Sequence, residues 1–238
     1  MKVHIFYSFM ILLLAGQVRG NTTSATVISV KGNVEVRRGL AEEWSPLRLG
    51  MLIRDIDTIL TGEASEVILE LEDGRRFRMG SNAVLDVGDL RTILEKELFL
   101  YLMSEKIDRV APLEKKTKIQ LGNVSVVHGS RLTKDSLAVA SDKQQWFQKE
   151  KNGARALFDN DLFTNAIIKM HKLSTQYDSI PDCGELYYYM GKSFEALEKK
   201  GQAMDHYQKA IEQCQPETKS DVAWLPEARE ALHRLKQE

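Results

Sequence analysis

Two pairs of carboxylates, Asp55/Asp57 and Glu70/Glu72, stand at i, i+2 spacing. On an extended strand that spacing puts both acids on one face. Two acids on one face can divide general acid and general base work between them. The same spacing also solvates the outer face of a strand, and the alternation around these pairs favours that second reading. Five histidines, His4, His128, His171, His206 and His233, include no H-x-x-x-H pair. A helical zinc site uses that spacing to bring two imidazoles to one side. His171 and His206 lie instead among lysines and acids in helical segments. The two cysteines, Cys183 and Cys214, are too far apart for the short ligand spacing of a zinc site. There is no glycine-rich phosphate loop and no nucleophile elbow. The expectation is a protein without catalytic residues, without a metal and without a cofactor, and so not an enzyme.

Charge narrows the partners. The net charge of −1 comes with no basic stripe. Nucleic-acid binding needs such a surplus to displace counterions from phosphates, so that class is set aside. A chain of 238 residues allows one or two domains with a sizeable core.

The N-terminus points to export. After Met1-Lys2 comes an apolar run, Ile5 to Leu14, and then the polar stretch "AGQVRGNTTSA". A run of that length suits the apolar region of a signal peptide and is short for a bilayer span. Residues 1–20 are expected to be a signal peptide ending at Gly20, with retention as an anchor the alternative. Gln17 occupies the region where a lipoprotein would need its cysteine. No later stretch approaches the roughly 18 consecutive apolar residues of a membrane helix. The mature chain is therefore expected to be periplasmic or otherwise extracytoplasmic, without an integral membrane span. That compartment permits disulfides.

The elements that would position any site fall into two halves. From Thr26, the stretch "TVISVKGNVEVRRG" places Val27, Val30, Val34 and Val36 among polar residues. Further on, Val67, Leu69 and Leu71 alternate with polar neighbours, Asp73-Gly74 supplies a hairpin turn, and Phe77 and Met79 resume the alternation. Ser81-Asn82 is a second turn before a strand from Val84 to Val87. Short strands with closely spaced turns predict a compact all-β unit.

The ordered series Val30-x-Gly32-x-Val34, Trp44-x-x-Leu47-x-x-Gly50, Asp57-x-Ile59-x-Thr61, Asp73-Gly74 and Leu85 resembles the FecR domain of bacterial cell-envelope proteins. The resemblance covers about residues 26–89. It implies an extracytoplasmic, solenoid-like β module without catalytic residues. FecR-type regulators carry a cytoplasmic helical domain ahead of a membrane span; here only "MKVH" precedes the apolar run. Direct action on a sigma factor is thus the weaker alternative.

Leu90, Ile93, Leu94, Leu98, Leu102 and Ile107 recur near helical spacing and predict a helix over 91–109, here placed within the β domain of 26–140. "KIQLGNVSVVHG" reads as one or two further strands.

From Trp146 the period becomes helical. Tyr187, Gly191 and Phe194 recur at i, i+4 and i+7, as do Ala203, Tyr207 and Ala210 after Gly201. Two such helices joined by a short turn make an antiparallel pair. The series, with Pro216 beyond it, resembles a tetratricopeptide repeat of about 34 residues. Glu198 stands where that repeat usually has a turn glycine, and Gly201 is expected to take over its job. Ala154, Leu157, Phe163, Ala166 and Met170 fit a weaker upstream copy. Ala228, Leu232 and Leu235 mark a terminal capping helix, completing a helical domain over 146–238.

Cys183 precedes the first helix of the strong repeat and Cys214 ends the second. Antiparallel packing brings those ends together, so a Cys183–Cys214 disulfide is expected, with two free thiols the alternative. If Tyr187, Gly191 and Phe194 face the core, Tyr188, Lys192 and Glu195 form a second line about 100° away. Lys151, Arg155 and Phe158 form the matching line upstream. Resemblance to tetratricopeptide proteins implies that these six residues border a peptide-binding groove; the alternative is an ordinary solvated helix face. The expected architecture is α+β and multidomain, an N-terminal β domain followed by helical hairpins. The expected function is a non-catalytic scaffold that binds a protein or peptide in the bacterial cell envelope. A peptidoglycan or ligand sensor is the alternative.

Overall fold

The computed structural model describes residues 23–110, 136–177, 182–214 and 222–237. The apolar N-terminal run and the strands expected near Gly122-Asn123 lie outside the described residues. The described part is an N-terminal β region followed by helices, an α+β arrangement.

The strands are β1 (Ser24–Lys31), β2 (Val34–Arg37), β3 (Trp44–Pro46), β4 (Leu52–Arg54), β5 (Thr58–Thr61), β6 (Glu66–Leu71), β7 (Arg76–Met79) and β8 (Val84–Asp86). They form two sheets, ordered β4-β1-β6-β7 and β3-β2-β5-β8. Every pairing among the described strands is antiparallel. Neither sheet is made by stacking successive parallel coils. Val27, Val67, Leu69, Phe77 and Met79 of the first sheet share one apolar core with Val34, Val36, Ile59 and Leu85 of the second.

The alternation read from the sequence has one irregularity, and the sheet explains it. Val27 pairs with Leu69 but Ser29 pairs with Ile68, so Ile28 is the extra residue of a bulge. That residue shifts the alternation by one, which is why the next valine is Val30 and not residue 29. The β6–β7 hairpin closes with the Gly74 N–H on the Leu71 carbonyl, and Gly74 has a φ of 81°. Asp73 keeps a negative φ, so the glycine alone supplies the left-handed backbone of this turn.

One carboxylate pair departs from the expected solvated face. Glu70 and Glu72 are exposed, but Asp57 is only 3% exposed. It lies in the turn between β4 and β5, where its carboxylate accepts from the Arg54 N–H at 2.9 Å, the Gly39 N–H at 3.0 Å and the Arg38 guanidinium at 2.7 Å. Asp57 thus pins two loops together and is no part of a solvated strand face.

The helices are α1 (Glu95–Val110), α2 (Ser136–Asp159), α3 (Phe163–Gln176), α4 (Glu185–Ala196), α5 (Lys200–Gln213) and α6 (Leu225–Gln237). A 3-10 turn over Val87–Leu90 delays the start of α1 relative to the expected 91. Although the sequence places it with the β domain, this helix packs on other helices. Leu98 is buried in the same cluster as Ile167 of α3 and Phe194 of α4, and Glu95 pairs with Lys199. The helical region also starts earlier than 146, at Ser136.

Both helical pairs turn the same way. After α2 the Leu162 N–H reaches the Leu157 carbonyl and the Asp161 N–H reaches Phe158; after α4 the Lys199 N–H reaches Phe194 and the Glu198 N–H reaches Glu195. This double bond pattern needs a left-handed residue just past the helix. Asp161 and Glu198 supply it, with φ of 60° and 59°. Glu198 therefore does the turn glycine's job itself. Gly201 sits inside α5 with open space around it, against the expectation that it would take over.

The two halves share an interior. The core between the sheets runs on without a break through Phe147, Ala154 and Leu157 of α2 to Met190 of α4. The closest approach is at Gly153 of α2, where a Cβ would run into the Val84 carbonyl of β8. Next to it the Asn152 amide donates to the Asn82 carbonyl at 2.8 Å, and Asn160 bonds both the N–H and the carbonyl of Arg78, each at 2.8 Å. Asn160 thereby pairs the backbone of β7 as another strand would, which covers an edge open to association.

Candidate functional site

The helices that carry the expected groove are held first by the hairpin of α4 and α5. Gly191 of α4 faces the Tyr207 ring of α5, and a Cβ there would come within 2.8 Å of it. Small residues at such a crossing let the two axes approach. At the open end of the hairpin, Cys183 and Cys214 form a disulfide. Gly184 follows with a φ of 75° and lies against Ala210 of α5, so a side chain would be obstructed as well as strained. Asp182 closes this end by accepting the N–H groups of Gly184 and Leu186, both at 2.9 Å.

The six residues expected to line the groove separate into two groups. Phe158 of α2 and Lys192 and Glu195 of α4 line one cleft of about 520 Å³. Tyr188 does not: it is 3% exposed, and Trp224 stacks on it with centroids 5.1 Å apart. The reason is that α4 is covered on more sides than one apolar stripe provides for. The segment leading into α6 returns over it, and Tyr188 becomes core. Lys151 is half-buried and pairs with Glu185, which ties α2 to the first turn of α4. Arg155 is exposed, lies over the Tyr189 ring at 5.1 Å and stands 3.7 Å from Asp159.

The far wall of the cleft comes from α6, through Glu227, Glu230, Ala231 and Arg234. Sequence reasoning missed this wall. The periodicity of the capping helix marks only its apolar stripe, whose Ala228, Leu232 and Leu235 are buried. The signal was present, since Glu227, Glu230 and Arg234 fall at i, i+3 and i+7 on another face.

Ion pairs cross the cleft. Lys192 meets Glu227 at 2.8 Å, and Arg234 meets Glu195. The Lys192 ammonium also lies 5.6 Å from the Phe158 ring and 5.5 Å from the Tyr188 ring. Hydrogen bonds from Lys192 and Tyr188 hold the Glu227 carboxyl below its usual range. Burial, helped by its bond to Glu195, pushes the Tyr207 hydroxyl up; the two oxygens are 2.7 Å apart. The cleft thus has an aromatic floor, fixed carboxylates and cations that are already engaged.

A second constellation lies where the halves meet. Lys169 of α3 is 8% exposed, and its ammonium is 2.8 Å from Asp89 and 3.4 Å from Asp86. Thr58 donates to the other Asp86 oxygen at 2.8 Å. Burial alone would push the Lys169 amine down, but the two aspartates hold it above its ordinary value. Burial raises Asp86, yet Lys169 and Thr58 outweigh it and leave the carboxyl lowered. Asn165, one turn before Lys169, donates to the carbonyls of Asp89 and Arg91 at 2.6 and 2.8 Å. These contacts fasten α3 to the 3-10 turn after β8.

No helix among the described residues is long and apolar enough to cross a membrane. Compared with known proteins, the chain matches no family model and no curated sequence.

Proposed function

We propose that this chain is an exported protein of the bacterial cell envelope that holds a protein or peptide partner in the cleft between α4 and α6 and does no chemistry on it. The observation that carries the reading is convergence. Phe158, Lys192 and Glu195 come from two helices and meet the Glu227–Arg234 face of a third around one cleft of about 520 Å³. The helical part is tetratricopeptide-like in this reading, supported by two antiparallel pairs that close with the same left-handed turn, at Asp161 and Glu198. The β part is FecR-like, supported by its residue series and by the structural work of Asp57 and Gly74 within it. Export is supported by the apolar run at Ile5–Leu14 and by the Cys183–Cys214 disulfide, since such bonds persist in oxidising compartments.

A photoreactive residue tests this. Ala196 in the cleft and Glu63 in the β region are exposed, and each is replaced by benzoylphenylalanine in cells that produce the whole chain. A discrete adduct from position 196 and none from position 63 is the expected result. No adduct from position 196, or the same adducts from both, would rule the cleft out.

A further inference from the structure

We propose that the cleft selects a basic segment, a lysine or arginine flanked by apolar residues in an extended peptide; this rests on the cleft reading above. The first argument is the balance of free charge. Lys192 and Arg234 are the two cations of the lining, and both are taken, by Glu227 and Glu195. The third carboxylate of the lining, Glu230, is exposed and has no ion pair among the described residues. An incoming carboxylate would meet satisfied cations and an unneutralised Glu230. An incoming cation would meet the same paired groups and one carboxylate, Glu230, left to pair with it.

The second argument is that the lining already holds one cation between a ring and a carboxylate. The Lys192 ammonium lies 5.6 Å from the Phe158 ring and 2.8 Å from Glu227, both of the lining. An aromatic face and a carboxylate together favour a cation more than either does alone. Glu230 is three residues from Glu227 on α6, and so on the same side of the helix. The third argument is the floor. Phe158, Phe163, Ala196 and Ala231 are apolar and supply contact area for an aliphatic neighbour of the basic residue. Specific charge pairs direct the choice of partner, and apolar contact adds the affinity.

Fluorescence anisotropy with three labelled decapeptides, leucine alternating with arginine, glutamate or serine, tests this on the whole chain. The arginine peptide should bind best, and binding should weaken with salt. E230Q should weaken it roughly two- to five-fold, the range of an exposed ion pair, and E230K further. E63K, which reverses a charge in the β region, should change nothing. Preference for the glutamate peptide, or binding without charge preference, overturns the inference and leaves the cleft standing. Equal weakening by E63K and E230K overturns it too, because the charge of the whole molecule would then be responsible. If none of the peptides binds while position 196 still crosslinks, the basic specificity is wrong and the cleft is not.

Discussion

Replacing Gly153 with alanine tests whether the two halves are one folded body. An alanine inside a helix is worth up to about 1 kcal/mol over glycine, so on local grounds the change should stabilise α2. The packing opposes this. The new Cβ would run into the Val84 carbonyl and would lie 3.6 Å from the Leu85 Cβ. The obstacle is backbone, which cannot turn aside as a side chain can. Either α2 or β8 must shift, and overpacking of this kind costs about 1–3 kcal/mol. A shift would also lengthen the 2.8 Å bond from Asn152 to the Asn82 carbonyl, worth about 1 kcal/mol when formed. The net expectation is destabilisation by about 1–3 kcal/mol. Gly201→Ala is the control, because that glycine is helical, has no positive φ and has nothing within 4 Å of a Cβ. It should stabilise by about 0.5–1 kcal/mol. Urea unfolding would be followed by far-ultraviolet circular dichroism and by tryptophan fluorescence, since Trp44 of β3 and Trp146 of α2 sit 6.5 Å apart across the boundary. A Gly153→Ala protein as stable as the control would refute the reasoning. So would two separate midpoints for the two probes in the unmodified protein, for that would mean the core is not shared.

Other substitutions address the remaining claims. Lys169→Met should cost about 1–3 kcal/mol, because it takes the buried ammonium from Asp86 and Asp89, whose carboxylates water still reaches in part; a urea midpoint near that of the unmodified chain would show the network to be dispensable. Cys183→Ser with Cys214→Ser should cost about 3–4 kcal/mol for a crosslink spanning 31 residues, and a reductant should lower the melting temperature of the unmodified protein but not of the double variant. Glu198→Gly should stabilise by up to about 1 kcal/mol by relieving a left-handed residue with a side chain, and a lower melting temperature would count against the turn geometry. His206 packs on Phe194 with centroids 4.8 Å apart, and burial pushes its pKa down from 6.5 to about 4. A lowered folded pKa means that the unfolded chain takes up the proton first. Stability should therefore be full above pH 6.5 and fall as the pH drops towards 4, by roughly 3 kcal/mol at about 1.4 kcal/mol per pH unit. His206→Gln should flatten that fall in a series of urea titrations, and an equal fall in both proteins would assign it to other groups.

Local periodicity was enough to determine the elements. Alternation at Val67, Leu69 and Leu71 and the i, i+4, i+7 series at Ala203, Tyr207 and Ala210 place those residues inside, as the structure has them. Both patterns record a single repeating geometry, strand or helix, against one apolar side. The pairing of Cys183 with Cys214 was within reach for a related reason, because a two-helix hairpin fixes which ends meet. What periodicity does not carry is how many sides of an element are covered. Tyr188 and Lys151 left the expected groove because Trp224 stacks on the first and Glu185 pairs with the second. Asp57 went from surface acid to buried hub because two loops distant in sequence close over it. The α6 wall of the cleft, the Lys169 network and the shared core at Gly153 likewise join residues from separate elements. Such contacts depend on the relative placement of whole elements, which is settled by close packing in three dimensions and leaves no fixed spacing along the chain.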